Sequence, residues 1–267
     1  MATLPNPLPK LAADPSGRCL GLELPPGTLI DATDEGPWHE PLLWCADERG
    51  VPGGWAALEP ARRTAGLLPL VVDVGGGHGG PRDWQLAPAE TSYPGDHDPD
   101  EVLADYWTAY ATADAEPWPG LADQATRASG AAPDPDSVAS GVASSVLAGE
   151  GPLKDPRPAL VFARRSADIP AAIGWTGPAD QETDVARLCA VLRSWEDRFG
   201  IRVVALGFDH LLLSVASPPT TLAEAEAVAA EHFAFCPDNL WQDGDSTLRA
   251  YAERRLLDQP TWHFWWD

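Results

Sequence analysis

Six residues in this sequence have the chemistry to hold a ligand or a partner: Trp175, Asp238, Asn239, Trp241, His263 and Trp265. Trp175 sits in Ile-Gly-Trp-Thr-Gly, and Asp238, Asn239 and Trp241 sit in Cys-Pro-Asp-Asn-Leu-Trp. His263 and Trp265 belong to the closing run Thr261-Trp-His-Phe-Trp-Trp266. An indole combines a large apolar face with one donor, which suits ligand platforms, interface anchors and core packing alike. Strand alternation places Trp262, Phe264 and Trp266 on one face and His263, Trp265 and Asp267 on the other. Aromatic area on both faces predicts a buried strand at the centre of the structure. The environment of the His263 face then decides between core and site.

Other residue groups invite sharper chemistry and fall short of it. Gly75-Gly-Gly-His-Gly-Gly80 matches G-x-G-x-x-G after an apolar run. A dinucleotide fingerprint also needs a helix directly behind it, and Pro81-Arg-Asp-Trp84 has no apolar stripe, so the segment reads as a surface loop. Asp96, Asp98 and Asp100 alternate beside His97, offering oxygen ligands to a hard cation. Glu101 stands where a calcium loop wants glycine, and an acidic first helical turn explains the cluster without a metal. His232 and Cys236 are four apart, as two zinc ligands on a helix would be, but no second pair completes a site. Core packing is the expectation for both. The sequence has no Gly-x-Ser-x-Gly elbow, no P-loop and no His-Glu-x-x-His, and the expectation is no metal and no cofactor.

Composition narrows the partners. With 18 basic against 40 acidic residues, the net charge is −22. Such a chain is repelled by phosphate backbones and anionic membranes, so neither nucleic acid nor membrane is expected as a partner. No apolar run approaches the roughly 18 residues that span a bilayer. The four cysteines, Cys19, Cys45, Cys189 and Cys236, form no C-x-x-C pair and lie in apolar stretches. Buried free thiols in a reducing cytoplasm are the expectation, and the first residues lack a signal-peptide core.

The elements that must position these residues divide at an Ala, Gly, Ser and Pro-rich stretch. The expected organisation is a strand-rich α+β part at 1–125, a linker at 126–157 with one weak helical turn around Val142–Leu147, and an α/β sandwich at 158–267. In the first part, strands are expected at 20–24, 42–45 and 67–74 and a helix at 99–112. In the last, a strand at 159–163 precedes an amphipathic helix at 182–199 that ends on Gly200. A hairpin follows at 201–217, then a helix opened by the capping box Thr221-Leu-Ala-Glu224, a helix at 246–256 and the tryptophan strand. The order β-α-β-β-α-α-β predicts an α+β protein whose mixed sheet is packed with helices.

Four separated motifs carry a resemblance. They are Gly174-Trp-Thr-Gly-Pro178, Leu192-Arg-Ser-Trp-Glu-Asp-Arg-Phe-Gly200, Ala230-Glu-His-Phe-Ala-Phe-Cys-Pro-Asp-Asn239 and the closing Trp262–Asp267. Together they resemble the domain-of-unknown-function 4253 family of bacteria over about residues 157–267. The N-terminal part, with Leu67-Leu-Pro-Leu70, resembles the longer members of that family. The resemblance brings no established activity and no catalytic residues.

Acidity without a catalytic signature favours binding over catalysis. The first expectation is an acidic cytoplasmic protein of immunity or antitoxin type that covers a basic protein partner. The alternative is a small-molecule-binding protein or enzyme with a Trp- and His-lined pocket between the two domains.

Overall fold

The structure, a computed structural model, describes residues 5–110, 116–123, 133–241 and 247–266. Its strands are β1 (Gly27–Ile30), β2 (Ala32–Thr33), β3 (Gly36–Pro37), β4 (Leu43–Ala46), β5 (Leu67–Asp73), β6 (Pro156–Phe162), β7 (Ile201–Leu206), β8 (His210–Val215) and β9 (Thr261–Trp265). Seven of them form one sheet in the order β1-β4-β6-β5-β7-β8-β9, while β2 and β3 pair separately. Within that sheet β5 and β7 run parallel and every other neighbouring pair is antiparallel. The helices are α1 (Lys10–Ala13), α2 (Gly54–Leu58), α3 (Pro60–Ala65), α4 (Pro99–Tyr110), α5 (Pro135–Leu147), α6 (Ile169–Ile173), α7 (Val185–Phe199), α8 (Leu222–Phe235), α9 (Asp238–Trp241) and α10 (Leu248–Tyr251). A π-helical turn, Ala252–Leu256, continues α10. The α+β class read from the sequence is the class observed.

Alternation along each strand builds a layer on either side. Leu68, Leu70 and Val72 of β5, with Leu211, Leu213, Trp262 and Phe264, join α4, α7 and α8 in the main core. Trp195 of α7 is its centre, with ring centroids 4.8 Å from Phe235, 5.4 Å from Trp262 and 5.5 Å from Phe264. Aromatic pairs at these distances add about 0.5–1.5 kcal/mol each to the burial of their area. On the opposite face Val71, Val204 and Leu212 pack under α5, and Trp44, Leu67 and Leu160 pack under the N-terminal segment and α3.

The helices obey their local signals. Asp184 caps α7 by accepting from Ala186 N at 3.1 Å, and Gly200 ends it at φ 64°. Thr221 and Glu224 form the expected capping box on α8. One buried carboxylate ties the main core together. Glu231 of α8 is fully buried and accepts from Arg198 Nη1 (2.7 Å) and Nη2 (2.6 Å), from Trp195 Nε1 (2.7 Å) and from Ala122 N (2.6 Å). Four donors on one carboxylate offset the cost of removing it from water.

Four expectations change. The tryptophan strand is not central: β9 is the last strand of the sheet, although Trp262, Phe264 and Trp266 are buried as predicted. Residues 20–24 form no strand; a 3₁₀ turn at Arg18–Leu20 leads instead to β1. The stretch 126–157 is not simply linker. Residues 126–132 lie outside the described ones, but Asp134 caps α5 through Ser137 N at 3.0 Å. Ala139, Ala143, Val146 and Leu147 of α5 are buried against the sheet. Alanines and serines let this helix approach closely, and their small apolar mass left only its last turn legible in the sequence. Finally Cys19 is exposed, while Cys45, Cys189 and Cys236 are buried.

Strands from both sides of 126–157 share the one sheet. β5, from the N-terminal part, lies between β6 and β7 of the C-terminal part.

Candidate functional site

The edge of the sheet is built by three of the motifs meeting. Carbonyl groups of β9 that face away from β8 find side-chain donors: Asn239 Nδ2 donates to His263 O at 2.8 Å, and Cys236 Sγ donates to Trp265 O at 3.0 Å. The Cys236-Pro-Asp-Asn239 turn is thus a lock on the edge, where unpaired backbone groups would otherwise invite another strand. Asn239 Nδ2 also donates to Tyr251 Oη at 3.1 Å, and Tyr251 Oη lies 3.1 Å from His232 Nδ1. His232 is fully buried between Trp195 and Trp262. Burial, then the nearby Arg198 charge, holds its imidazole well below the ordinary value of 6.5, so it is neutral.

The first motif is closed by glycines. Gly174 has φ 64°, and a Cβ there would stand 2.2 Å from Pro88 N. At Gly177 a Cβ would stand 2.0 Å from the Trp175 ring. These two glycines let Trp175 turn inward, where Nε1 donates to Gly207 O at 2.9 Å and the ring meets Trp266 at 5.6 Å.

Residues 157–267 match the family described as Domain of unknown function (DUF4253). The resemblance read from the four motifs stands. No curated protein and no solved structure matches the chain. Within the DUF4253 segment the motifs converge on β9 and its supports, and a recess opens beside them.

This recess has a volume of about 330 Å³ and is lined by His210, Asn239, Tyr251, His263, Trp265 and, at its rim, Arg254 and Arg255. It lies at the outer edge of β9, where His210, His263 and Trp265 come from one face of the sheet and Trp262 from the other. α5 covers Leu212 of β8, and the outer residues Thr261, His263 and Trp265 are left half-buried. The His210 and His263 rings stack, 5.2 Å apart and 22° from parallel. His210 Nε2 lies 3.3 Å from Asp209 Oδ1. The two arginines are successive residues of the π-helical turn, a widened turn that recurs at functional sites.

Buried polar atoms lacking a hydrogen bond concentrate here. Among the described residues, His210 Nδ1, Ser214 Oγ, His232 Nε2 and Trp262 Nε1 are buried without a partner, and all lie on β8 and β9 or against them. Buried polar groups are normally satisfied, so such a concentration marks this end of the sheet as unusual.

The six residues singled out in the sequence are distributed as follows. Asn239, His263 and Trp265 line the recess together. Trp175 is a core residue, 2% exposed. Trp241, 58% exposed, faces away beside Tyr110 and Phe233, and Asp238 opens α9 with it. Asp267 lies outside the described residues. The recess is therefore formed within residues 210–265 and not between an N-terminal and a C-terminal domain. His210, Tyr251 and the two arginines escaped the sequence reading. The register of His210 opposite Trp265 appears only once β8 and β9 pair.

Other groupings resolve into structure. His232 and Cys236 serve Tyr251 and Trp265 O separately, and burial pushes the Cys236 thiol up to about 12. Around Gly75–Gly80, the Asp73 carboxylate already accepts from Gly75, Lys154 and Asp155 N–H groups, and His78 stacks on Phe208 at 3.9 Å. No metal-holding group of three or more acidic, His or Cys residues exists among the described residues. Ser92, His97 and Asp184 do meet, with Ser92 Oγ 2.6 Å from His97 Nε2. Asp184 Oδ2 faces the same ring nitrogen at 3.7 Å, whereas a nucleophile–base–acid relay needs the two ring nitrogens to be used separately.

Proposed function

We propose that this protein binds a small, hydrogen-bonding ligand in the recess at β8 and β9. The observation that carries this reading is the stacked His210–His263 pair, with the orphaned His210 Nδ1, beside a cavity of about 330 Å³. Such a volume suits a compound of metabolite size. Trp265 adds one flat apolar wall, and Arg254 and Arg255 place positive charge in the lining. Binding, not catalysis, is favoured because the reactive groups beside the recess are committed to structure. His232 is neutral and enclosed, and the Cys236 thiol is far from ionising.

The test is a thermal-shift screen of small polar metabolites against the wild type and His210→Phe, a variant that keeps an aromatic ring and removes its hydrogen-bonding nitrogens. Compounds should raise the melting temperature of the wild type and leave the variant unmoved. Equal shifts in both proteins, or none in the wild type, would refute the reading.

A second reading rests on the net charge of −22. α4 presents Asp98, Asp100, Glu101 and Asp105 as exposed residues around its first turns, a surface suited to a basic protein partner. Four free cysteines fit a reducing, cytoplasmic setting for such a complex. No helix among the described residues is long and apolar enough to cross a membrane. A pull-down at low salt should retain a basic protein that high salt releases. Recovery of no basic partner at low salt counts against it.

A further inference from the structure

A larger recess of about 580 Å³ lies near the start of α5, where the sheet itself opens. β5 and β7 pair at Val71 with Ala205 and at Val72 with Leu206, and not before. Three features hold them apart. Pro69 of β5 has no N–H to offer a neighbour. β7 carries a bulge between Val203 and Ala205. The N–H of Val203 donates to Ser166 Oγ at 2.8 Å and not to a strand. The result is a slot between two strands in the middle of the sheet, with Leu68, Pro69 and Val203 in its walls.

The rest of the lining is divided by character. Trp55 of α2, 4% exposed, supplies an aromatic wall. Beyond Asp136, α5 presents only small side chains, and a Cβ added at Gly141 would meet nothing within 4 Å. The rim holds arginines and acids in different states of commitment. Asp136 is shared by Arg62 Nη1 (2.7 Å) and Arg202 Nε (2.6 Å). Asp134 accepts from Ser137 N and Oγ as the helix cap. Arg63 makes no ion pair or hydrogen bond among the described residues, with Glu59 one turn earlier or with any other. Arg63 therefore stands unpaired, with Glu59 one turn away, over a slot walled by Trp55, Pro69 and Val203, at the positive end of a 13-residue helix.

We propose that this slot binds an amphipathic organic anion, its flat apolar body between Trp55, Pro69 and Val203 and its acidic group on Arg63. A drug-sized molecule fits this volume. The site shares no lining residue with the β8–β9 recess, so either can fail alone.

The experiment compares two fluorescent probes on the full chain, anionic 1-anilinonaphthalene-8-sulfonate and its neutral analogue N-phenyl-1-naphthylamine. The sulfonate should bind saturably, with energy transfer from tryptophan, and more tightly than the neutral probe. Arg63→Ala should weaken the sulfonate about tenfold, as expected for one charge-assisted contact, and leave the neutral probe unchanged. Gly141→Leu should abolish binding of both while the cooperative thermal transition is kept. If Gly141→Leu does not fold, Ser140→Leu blocks the same face of α5 in its place. Absence of saturable sulfonate binding, binding undiminished by the filled slot, or equal loss of both probes in Arg63→Ala would overturn the proposal.

Discussion

Asn239 Nδ2 donates to the carbonyl oxygen of His263 across 2.8 Å, and this side chain takes the place of a further strand at the edge of the sheet. The same nitrogen holds Tyr251 Oη, so one amide joins the edge, the π-helical turn and the buried His232. Replacing Asn239 by Ala removes its hydrogen bonds to the His263 carbonyl and the Tyr251 hydroxyl together. The expected loss is about 1–3 kcal/mol of unfolding free energy in urea. Light scattering should rise as well, because the edge is unlocked. A variant with wild-type midpoint and no aggregation would show that the lock is dispensable.

Glu231→Gln tests the buried ion pair. The amide keeps the shape of the carboxylate but leaves the Arg198 guanidinium, 14% exposed, without its counter-charge. Breaking such a pair from one side costs about 3–5 kcal/mol. Urea unfolding of the variant should show that loss, and a change below about 1 kcal/mol would place the pair among solvated ones.

His232 gives the protein a defined acid response. Its unfolded imidazole binds a proton below pH 6.5, whereas the buried one does not until much lower pH. Above pH 6.5 neither state is protonated and stability is unaffected by this group. As the pH falls below 6.5, the unfolded state gains a proton that the folded state refuses, and stability declines by up to ~1.4 kcal/mol per pH unit. The difference in stability between wild type and His232→Gln, measured from pH 7.5 to 5.5, should shrink as the pH drops. A constant difference across that range would contradict the burial of a neutral imidazole.

Thiol reactivity separates the cysteines. Burial pushes Cys45 and Cys236 up to about 12 and drives Cys189 upward too, while Cys19 lies at the surface. A disulfide reagent at pH 8 should label Cys19 alone in the native protein and all four residues after denaturation. Rapid native labelling of Cys236 would mean that the edge opens readily.

Ending the chain after Thr261 removes the burial of Trp262, Phe264 and Trp266, each worth about 1.5–3 kcal/mol or more. It also leaves β8 without its outer neighbour and Trp195 without two of its ring contacts. A truncated protein should show no cooperative thermal transition. Unchanged melting would mean that the tail is an appendage.

The sequence announced some of this and concealed the rest, for physical reasons. Periodicity and caps marked α7 and α8 because Val185, Leu188, Leu192, Trp195 and Phe199 repeat at helical spacing and Thr221–Glu224 is a local signal. Period-2 alternation marked the two faces of β9. The position of β9 at an edge was hidden because side chains, and not strands, satisfy its outer carbonyls, which makes an edge look central. Part of the candidate site was legible: three of the six residues singled out, Asn239, His263 and Trp265, line the recess. Trp175 and Trp241 misled because an indole reads the same whether it is packed in a core or exposed. His210, Arg254 and Arg255 depend on strand register and on a π-helical turn, which no local propensity encodes.

The place of β5 in the sheet has a consequence for how this protein is made. β5 is synthesised early, yet its partners β6 and β7 follow much later, and Asp73 waits for N–H groups 81 and 82 residues downstream. On the ribosome, the Leu67–Val72 segment emerges as an apolar strand with neither neighbour present. The centre of the sheet closes only after Leu206 has left the exit tunnel, so much of the chain must be held in solution until its second half arrives. The nascent chain is therefore most vulnerable to aggregation between the completion of β5 and the arrival of β7, and its acidic charge keeps neighbouring nascent chains apart during that interval.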